Sequence, residues 1–147
     1  MPIIVETPEE MFALGESIGN QLRVGDLLVL SGPLGAGKTL LTQGIGHALG
    51  IVGITSPTFV ISRIHPAKIP LVHVDAYRLQ GDNTALFDDL DLDSLLESSV
   101  VVVEWGEGLA ERISNEYLEL QIDIESKTDK RRVKSVSHGL RWVEFSL

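Results

Sequence analysis

The stretch that decides the fold is Asp26-Leu27-Leu28-Val29-Leu30-Ser31-Gly32-Pro33-Leu34-Gly35-Ala36-Gly37-Lys38-Thr39-Leu40-Leu41. Its middle, Gly32 to Thr39, fits the phosphate-binding template G-x-x-x-x-G-K-[ST]. Ahead of it, Asp26 to Ser31 reads as a short buried strand. Behind it, Leu40, Leu41, Ile45, Ala48 and Leu49 recur at helical spacing. Strand, glycine loop and helix together give the motif its mechanism. Glycines lack a Cβ, so the loop can wrap with its N–H groups pointing inward. The helix starting near Lys38 adds the positive end of its dipole. Lys38 can reach the β- and γ-phosphates of a nucleotide, and the Thr39 hydroxyl can bind Mg²⁺. The bland alternative, a glycine-rich turn matching by chance, is disfavoured by both flanks.

Composition sets the frame. At 147 residues the chain is expected to be one domain, residues 1–147, with enough length for a real core. Hydrophobic residues make up 44% and mean hydropathy is +0.17, which excludes a disordered chain. No apolar run reaches the ~18 residues of a membrane span, so no membrane partner is expected. Met1-Pro2-Ile3-Ile4-Val5-Glu6 has no basic region before an apolar one and does not read as a signal peptide. There are no cysteines, which excludes disulfides and thiol catalysis and agrees with a cytoplasmic location. The formal net charge of −9 does not attract nucleic acid through the overall field. Lys127, Lys130, Arg131, Arg132 and Lys134 cluster in one stretch, preferred as a solvated hairpin turn over a binding patch.

Working outward toward the N-terminus, Ile3-Ile4-Val5 is a candidate edge strand. Thr7-Pro8-Glu9-Glu10 is a helix start, with Thr7 as N-cap, Pro8 at N1 and Glu10 at N3. Met11, Leu14, Ile18 and Leu22 continue it as an apolar stripe for the core. The helix after the glycine loop carries Gly44 and Gly46, each costing about 1 kcal/mol relative to Ala. Close approach of another backbone is a plausible compensation. Gly50 is its C-terminal cap.

Toward the C-terminus, the polar group Thr55-Ser56-Pro57-Thr58 interrupts an apolar run, and Phe59 to Ile61 reads as a strand. The polar group is equally a simple turn or a nucleotide-sensing loop whose hydroxyls meet Mg²⁺ or the γ-phosphate. Leu71-Val72-His73-Val74-Asp75 is a strand with an acid at its end, where the second acidic position of a phosphate-loop enzyme belongs. His73 reads as a packed or surface histidine, not a ligand. Gly81-Asp82-Asn83 is a turn. Thr84 to Glu97 reads as short helices with an acidic solvent face, since the calcium-loop spacing is absent. Val100-Val101-Val102-Val103-Glu104-Trp105 reads as a central parallel strand ending in an acid. Ligands bind beyond the carboxyl ends of such strands, so Ser31, Asp75 and Glu104 are expected to converge. Glu104 could position or deprotonate a water or bind the metal, and Trp105 could cover the site or pack in the core. Tyr117–Ile124, Arg132–Val136 and Leu140–Phe145 alternate and read as antiparallel strands, joined by turns at Lys127–Arg131 and Ser137-His138-Gly139.

Four pieces now stand in order: Gly32–Thr39, Ser56-Pro57-Thr58-Phe59, His73-Val74-Asp75-Ala76-Tyr77-Arg78-Leu79 and Glu104-Trp105. Together they resemble the TsaE family, small P-loop ATPases of tRNA threonylcarbamoyladenosine (t6A) biosynthesis. The resemblance is strongest from about Leu30 to Gly106. It implies an α/β fold: a three-layer P-loop NTPase-like single domain, with a mostly parallel central sheet and C-terminal antiparallel hairpin strands. It implies ATP held by Leu34, Gly35, Ala36, Gly37, Lys38 and Thr39, with Mg²⁺ near Thr39, Asp75 and Glu104. Glu104, Lys38 and Asp75 are then the catalytic candidates, and Ser56, Pro57, Thr58 and Phe59 a switch-like loop. The base would lie near Thr7, Pro8 and the turn around Thr128. Partners would be TsaB and TsaD, with tRNA reached indirectly through that complex. Many family members have Asp where Pro33 stands and a second Thr where Leu40 stands.

Two other readings use the same loop. One is a small-molecule kinase in which Asp75 acts on an acceptor hydroxyl; no obvious lid or acceptor segment supports it. The other is an ATP-binding interaction module without significant turnover. A GTPase is disfavoured, because no Asn-Lys-x-Asp motif occurs in the chain.

Overall fold

Two continuous apolar runs, Leu27–Leu30 and Val100–Val103, lie side by side in the sheet because neither has a polar face to show to water. The computed structural model describes residues 2–55, 61–79 and 84–147. Its elements are β1 (Ile3–Val5), α1 (Pro8–Gly19), β2 (Leu27–Ser31), α2 (Lys38–Ala48), β3 (Ser62–His65) and β4 (Leu71–Asp75). There follow α3 (Thr84–Asp88), α4 (Leu92–Leu96), β5 (Val100–Glu104), β6 (Tyr117–Ile124) and β7 (Arg131–His138). The sheet runs β1-β7-β6-β2-β5-β4-β3. β4, β5, β2 and β6 are mutually parallel neighbours, while β3, β7 and β1 add antiparallel edges. This is the α/β domain expected, with Ile3–Val5 as an edge strand.

Strand alternation sorts the core into two layers. Leu28, Leu30, Val100, Val102 and Leu118 face Met11, Ile18, Leu41 and Ile45 of α1 and α2. Leu27, Val29, Val101, Val103, Val72 and Val74 face Phe87 of α3 and Leu92 of α4.

α1 begins as its sequence predicts. Thr7 Oγ1 accepts from the Glu10 N–H at 3.1 Å, and the Glu10 carboxylate reaches back to the Glu6 N–H at 2.7 Å. α1 and α2 then cross at glycines. A Cβ on Gly15 would lie 2.2 Å from the Leu41 carbonyl oxygen, and one on Gly44 would lie 2.1 Å from that of Phe12. Backbone approach therefore accounts for Gly44. Gly46 instead makes room for a side chain, with Ile54 Cδ1 2.1 Å from where its Cβ would stand. Gly50, at φ +82°, closes α2: its N–H bonds to His47 O at 3.0 Å and the next N–H, of Ile51, to Gly46 O at 2.8 Å.

Asp26 and Trp105, read as strand ends, lie just outside β2 and β5, and three further segments differ more from the sequence reading. The strand expected at Phe59–Ile61 is not at Ile61, whose φ of +65° breaks extended geometry. There the Ile61 carbonyl accepts from the Asp75 N–H at 2.7 Å, and β3 starts one residue later as a half-exposed edge. Phe59, Val60 and the Gly81–Asn83 turn lie outside the described residues. β7 is longer than expected, taking in Arg131, Ser137 and His138, because each pairs with β6. Leu140–Phe145 is not a strand. Gly139, at φ +92°, turns the chain into a 3-10 turn over Leu140–Trp142. Trp142 is buried there with Phe145 edge-on, so the apolar alternation reflects one anchoring ring and not a pleated face.

Candidate functional site

β2, β4 and β5 are parallel neighbours, so their carboxyl ends meet. Leu30 and Asp75 both pair in register with Glu104. From Ser31 the chain enters the glycine loop. Gly32 (φ +150°) lies against β6, where a Cβ would stand 2.4 Å from the Ile122 carbonyl oxygen. Gly37 (φ +109°) caps α2 with no side-chain bond, leaving the first N–H groups of the helix directed into the loop.

Lys38 is buried at the start of α2. Its ammonium donates to the Gly32 and Pro33 carbonyls at 2.7 and 2.9 Å and sits 3.9 Å from the centre of the Trp105 ring. Burial lowers its pKa from the ordinary lysine value, while the carboxylates of Glu104, Glu107 and Asp75 oppose that shift. Thr39, the next residue, directs its hydroxyl at both Glu104 carboxylate oxygens, 3.4 and 3.3 Å away. Glu104 is itself only 4% exposed. Asp75 accepts from the Tyr77 N–H at 3.0 Å. Trp105 leaves β5 with φ +62°, a left-handed conformation that a bulky residue adopts at a cost of about 1–3 kcal/mol. That turn sets its indole edge-on to Tyr77, 5.1 Å between ring centres.

These groups enclose a cavity of about 530 Å³ lined by Leu34, Gly35, Gly37, Lys38, Thr39, Asp75 and Glu104, with Tyr77, Arg78 and Trp105 at its edge. That size suits a small ligand. A hydroxyl and two carboxylates are hard oxygen donors suited to Mg²⁺, which takes few protein ligands and shares phosphate oxygens. Among the described residues no group of three or more His, Asp or Glu could hold a metal alone. Thr39, Asp75 and Glu104 are the residues whose oxygens could take part in holding such an ion.

Lys38, Thr39, Asp75 and Glu104 thus come together, with Leu34–Gly37 as the loop wall. Thr7 and Pro8 line an adjoining hollow of about 210 Å³ on the other side of Gly35–Gly37, with Met11, Leu40, Asp129 and Arg131. Thr128 is not in that lining; its hydroxyl bonds to Glu125 at 2.9 Å within its own turn. Ser56, Pro57, Thr58 and Phe59 lie outside the described residues.

Two contributors were missed in the sequence. His73 is fully buried and its Nε2 bonds to Glu104. The available sign was its parity with Asp75, two residues on along the same strand. Arg131 leaves the hairpin and donates to the Ala36 and Gly35 carbonyls at 3.2 and 3.3 Å, bracing the loop from outside. No local pattern announces that contact. Two of the other four basic residues of that stretch pair with acids, Lys130 with Glu6 at 3.0 Å and Arg132 with Glu125 at 3.3 Å. Among the described residues no helix is long and apolar enough to cross a membrane.

Comparison with known proteins bears on the family and the fold. The profile of the family described as threonylcarbamoyl adenosine biosynthesis protein TsaE matches residues 5–133. The tRNA threonylcarbamoyladenosine biosynthesis protein TsaE of Mycobacterium bovis is 52% identical over 132 residues, covering 84% of this chain and 79% of the relative. The protein of the same name from Streptomyces coelicolor is 50% identical over 139 residues, covering 90% and 93%. The crystal structure of Bacillus subtilis YdiB superposes with a TM-score of 0.78 at 30% identity, covering 95% of this chain and 86% of that one. With a profile match over most of its length and relatives sharing half its residues, the chain belongs to the TsaE family.

Proposed function

We propose that this chain binds Mg²⁺-ATP and hydrolyses it in support of t6A synthesis on tRNA, acting in the cytoplasm with TsaB and TsaD. The observation that carries the reading is the convergence of Lys38, Thr39, Asp75 and Glu104 on one cavity at the carboxyl ends of β2, β4 and β5. The names of the family and of its relatives support the pathway. The net charge of −9 agrees with tRNA being contacted mainly through partners.

The chemistry asks for positioning and charge stabilisation. The loop N–H groups and the start of α2 hold the phosphates. Lys38 exchanges the Gly32 and Pro33 carbonyls for phosphate oxygens. Thr39, Asp75 and Glu104 would hold Mg²⁺, which when bound offsets the charge of the phosphates. Glu104, buried beside Thr39, orients the attacking water or accepts its proton. Trp105 and Tyr77 add an edge-on aromatic pair to the cavity lining.

The test is calorimetric titration with ATP, with and without Mg²⁺, followed by phosphate release with TsaB and TsaD added. Mg²⁺-dependent binding and turnover that rises with the partners is expected. Binding without turnover would favour the interaction module, and a phosphorylated acceptor in place of free phosphate would favour the kinase.

A further inference from the structure

Strand alternation places His73, Asp75 and Glu104 on the sheet face that carries α2. His73 is 0% exposed, and its strand neighbours Leu71, Val72 and Val74 are apolar and equally buried. A leucine or valine would be the cheap residue at such a position. The imidazole is instead committed to one partner. Its Nε2 bonds to a Glu104 oxygen, while its Nδ1 is buried with no partner among the described residues. With the Glu104 oxygen as acceptor in this bond, Nε2 is the donor. A hydrogen on Nδ1 would be an orphaned buried donor. Buried polar atoms are rarely left unpaired, and exceptions call for an explanation.

Glu104 is therefore gripped from two sides. His73 donates from within the sheet, and the Thr39 hydroxyl donates from the first turn of α2 at 3.3 Å. We infer that His73 is a positioning residue for Glu104: it fixes the rotamer of that carboxylate and aims it across Thr39 into the cavity. The inference rests on the proposed role of Glu104, but the His73–Glu104 coupling can be measured without turnover.

Two arms test it. The first is a long-range ¹H–¹⁵N spectrum of the ¹⁵N-labelled wild-type chain. The expected result is a His73 ring protonated at Nε2 with a bare Nδ1, and a clear change of the Nε2 resonance in Glu104→Gln. The opposite tautomer, or a resonance indifferent to Glu104→Gln, overturns the inference. The second arm compares His73→Leu with His73→Gln, whose amide N–H₂ reaches as far as Nε2. His73→Leu is expected to lower kcat about 10- to 100-fold, as loss of a residue supporting a reactive group does. Its ATP Kd should stay within about threefold of wild type, and His73→Gln should recover most of kcat. A folded His73→Leu with wild-type kcat, equal losses in kcat and affinity, or a glutamine variant as poor as the leucine one overturns it. If His73→Leu does not fold, His73→Gln and the spectra still decide. A wild-type chain with no turnover would sink the ATPase reading, and the spectra alone would then rule on the coupling.

Discussion

Two carboxylates are buried at opposite ends of the central strands, and they are handled in opposite ways. Asp26, 2% exposed, stands just ahead of β2. Arg141 forks onto it with two bonds of 2.8 Å, and the Arg23 N–H adds a third of 2.8 Å. Glu104, 4% exposed, ends β5. Its hydrogen bonds come from the Thr39 hydroxyl and the His73 ring, the Lys38 ammonium stands near it with its own bonds on the loop carbonyls, and it faces a cavity. Asp26 is saturated by a cation and ties the C-terminal turn to the sheet. Glu104 directs its carboxyl group at open space, where a ligand or ion could complete its contacts. Burial alone does not distinguish a structural acid from a working one; the charge of its partners and the presence of a void do.

The largest effect that would break this contrast lies at the cation facing Glu104. Lys38→Ala should reduce ATP turnover about 1000-fold or more, because it removes the donor aimed at the phosphates. Near-normal phosphate release from that variant would remove the cavity from the account. Next comes the saturated acid. Asp26→Ala strands Arg141 and should destabilise the fold by about 3 kcal/mol in denaturant titration, while leaving ATP affinity unchanged. Weakened ATP binding without lost stability would reverse the roles given to the two acids.

The smallest effect concerns a third carboxylate, Glu111, which is exposed yet bonded to the buried Tyr117 hydroxyl at 2.7 Å. Burial and the Glu111 bond push the Tyr117 pKa up to about 12. One of the two tyrosines should therefore ionise well above pH 10 in a spectrophotometric titration. Because the folded value is raised, the stability it contributes is complete below the unfolded value of 10.0 and is lost as pH climbs toward about 12. The same bond lowers the Glu111 pKa, so its share is present above the unfolded value of 4.5 and lost as pH falls through the folded one. Tyr117→Phe should cost about 1 kcal/mol at neutral pH and leave ATP turnover unchanged.

What the sequence disclosed follows from the same physics. Leu71–Asp75 was legible to the residue and Val100–Glu104 to within one, Trp105 turning out of the strand, because a buried central strand is mostly apolar and its terminal acid stands out. The cap at Thr7 was legible because its partners lie within four residues. Leu140–Phe145 misled because a short alternation does not distinguish a pleated strand from a turn anchored by one buried tryptophan. His73 was placed in the core or at the surface but not beside Glu104, since that contact depends on register across two strands. Arg131 was hidden for the same reason: its targets, Gly35 and Ala36, lie 96 and 95 residues away in the chain.

The most direct test of the central claim is a paired measurement on Glu104→Gln: ATP affinity by calorimetry and phosphate release with TsaB and TsaD present. The account predicts a Kd within about threefold of wild type and turnover reduced at least about 100-fold, as loss of a catalytic base or water-orienting carboxylate does. Unchanged turnover would contradict it and leave Glu104 a structural acid like Asp26, while affinity falling along with turnover would contradict the water-orienting role and leave Glu104 a group that acts through binding.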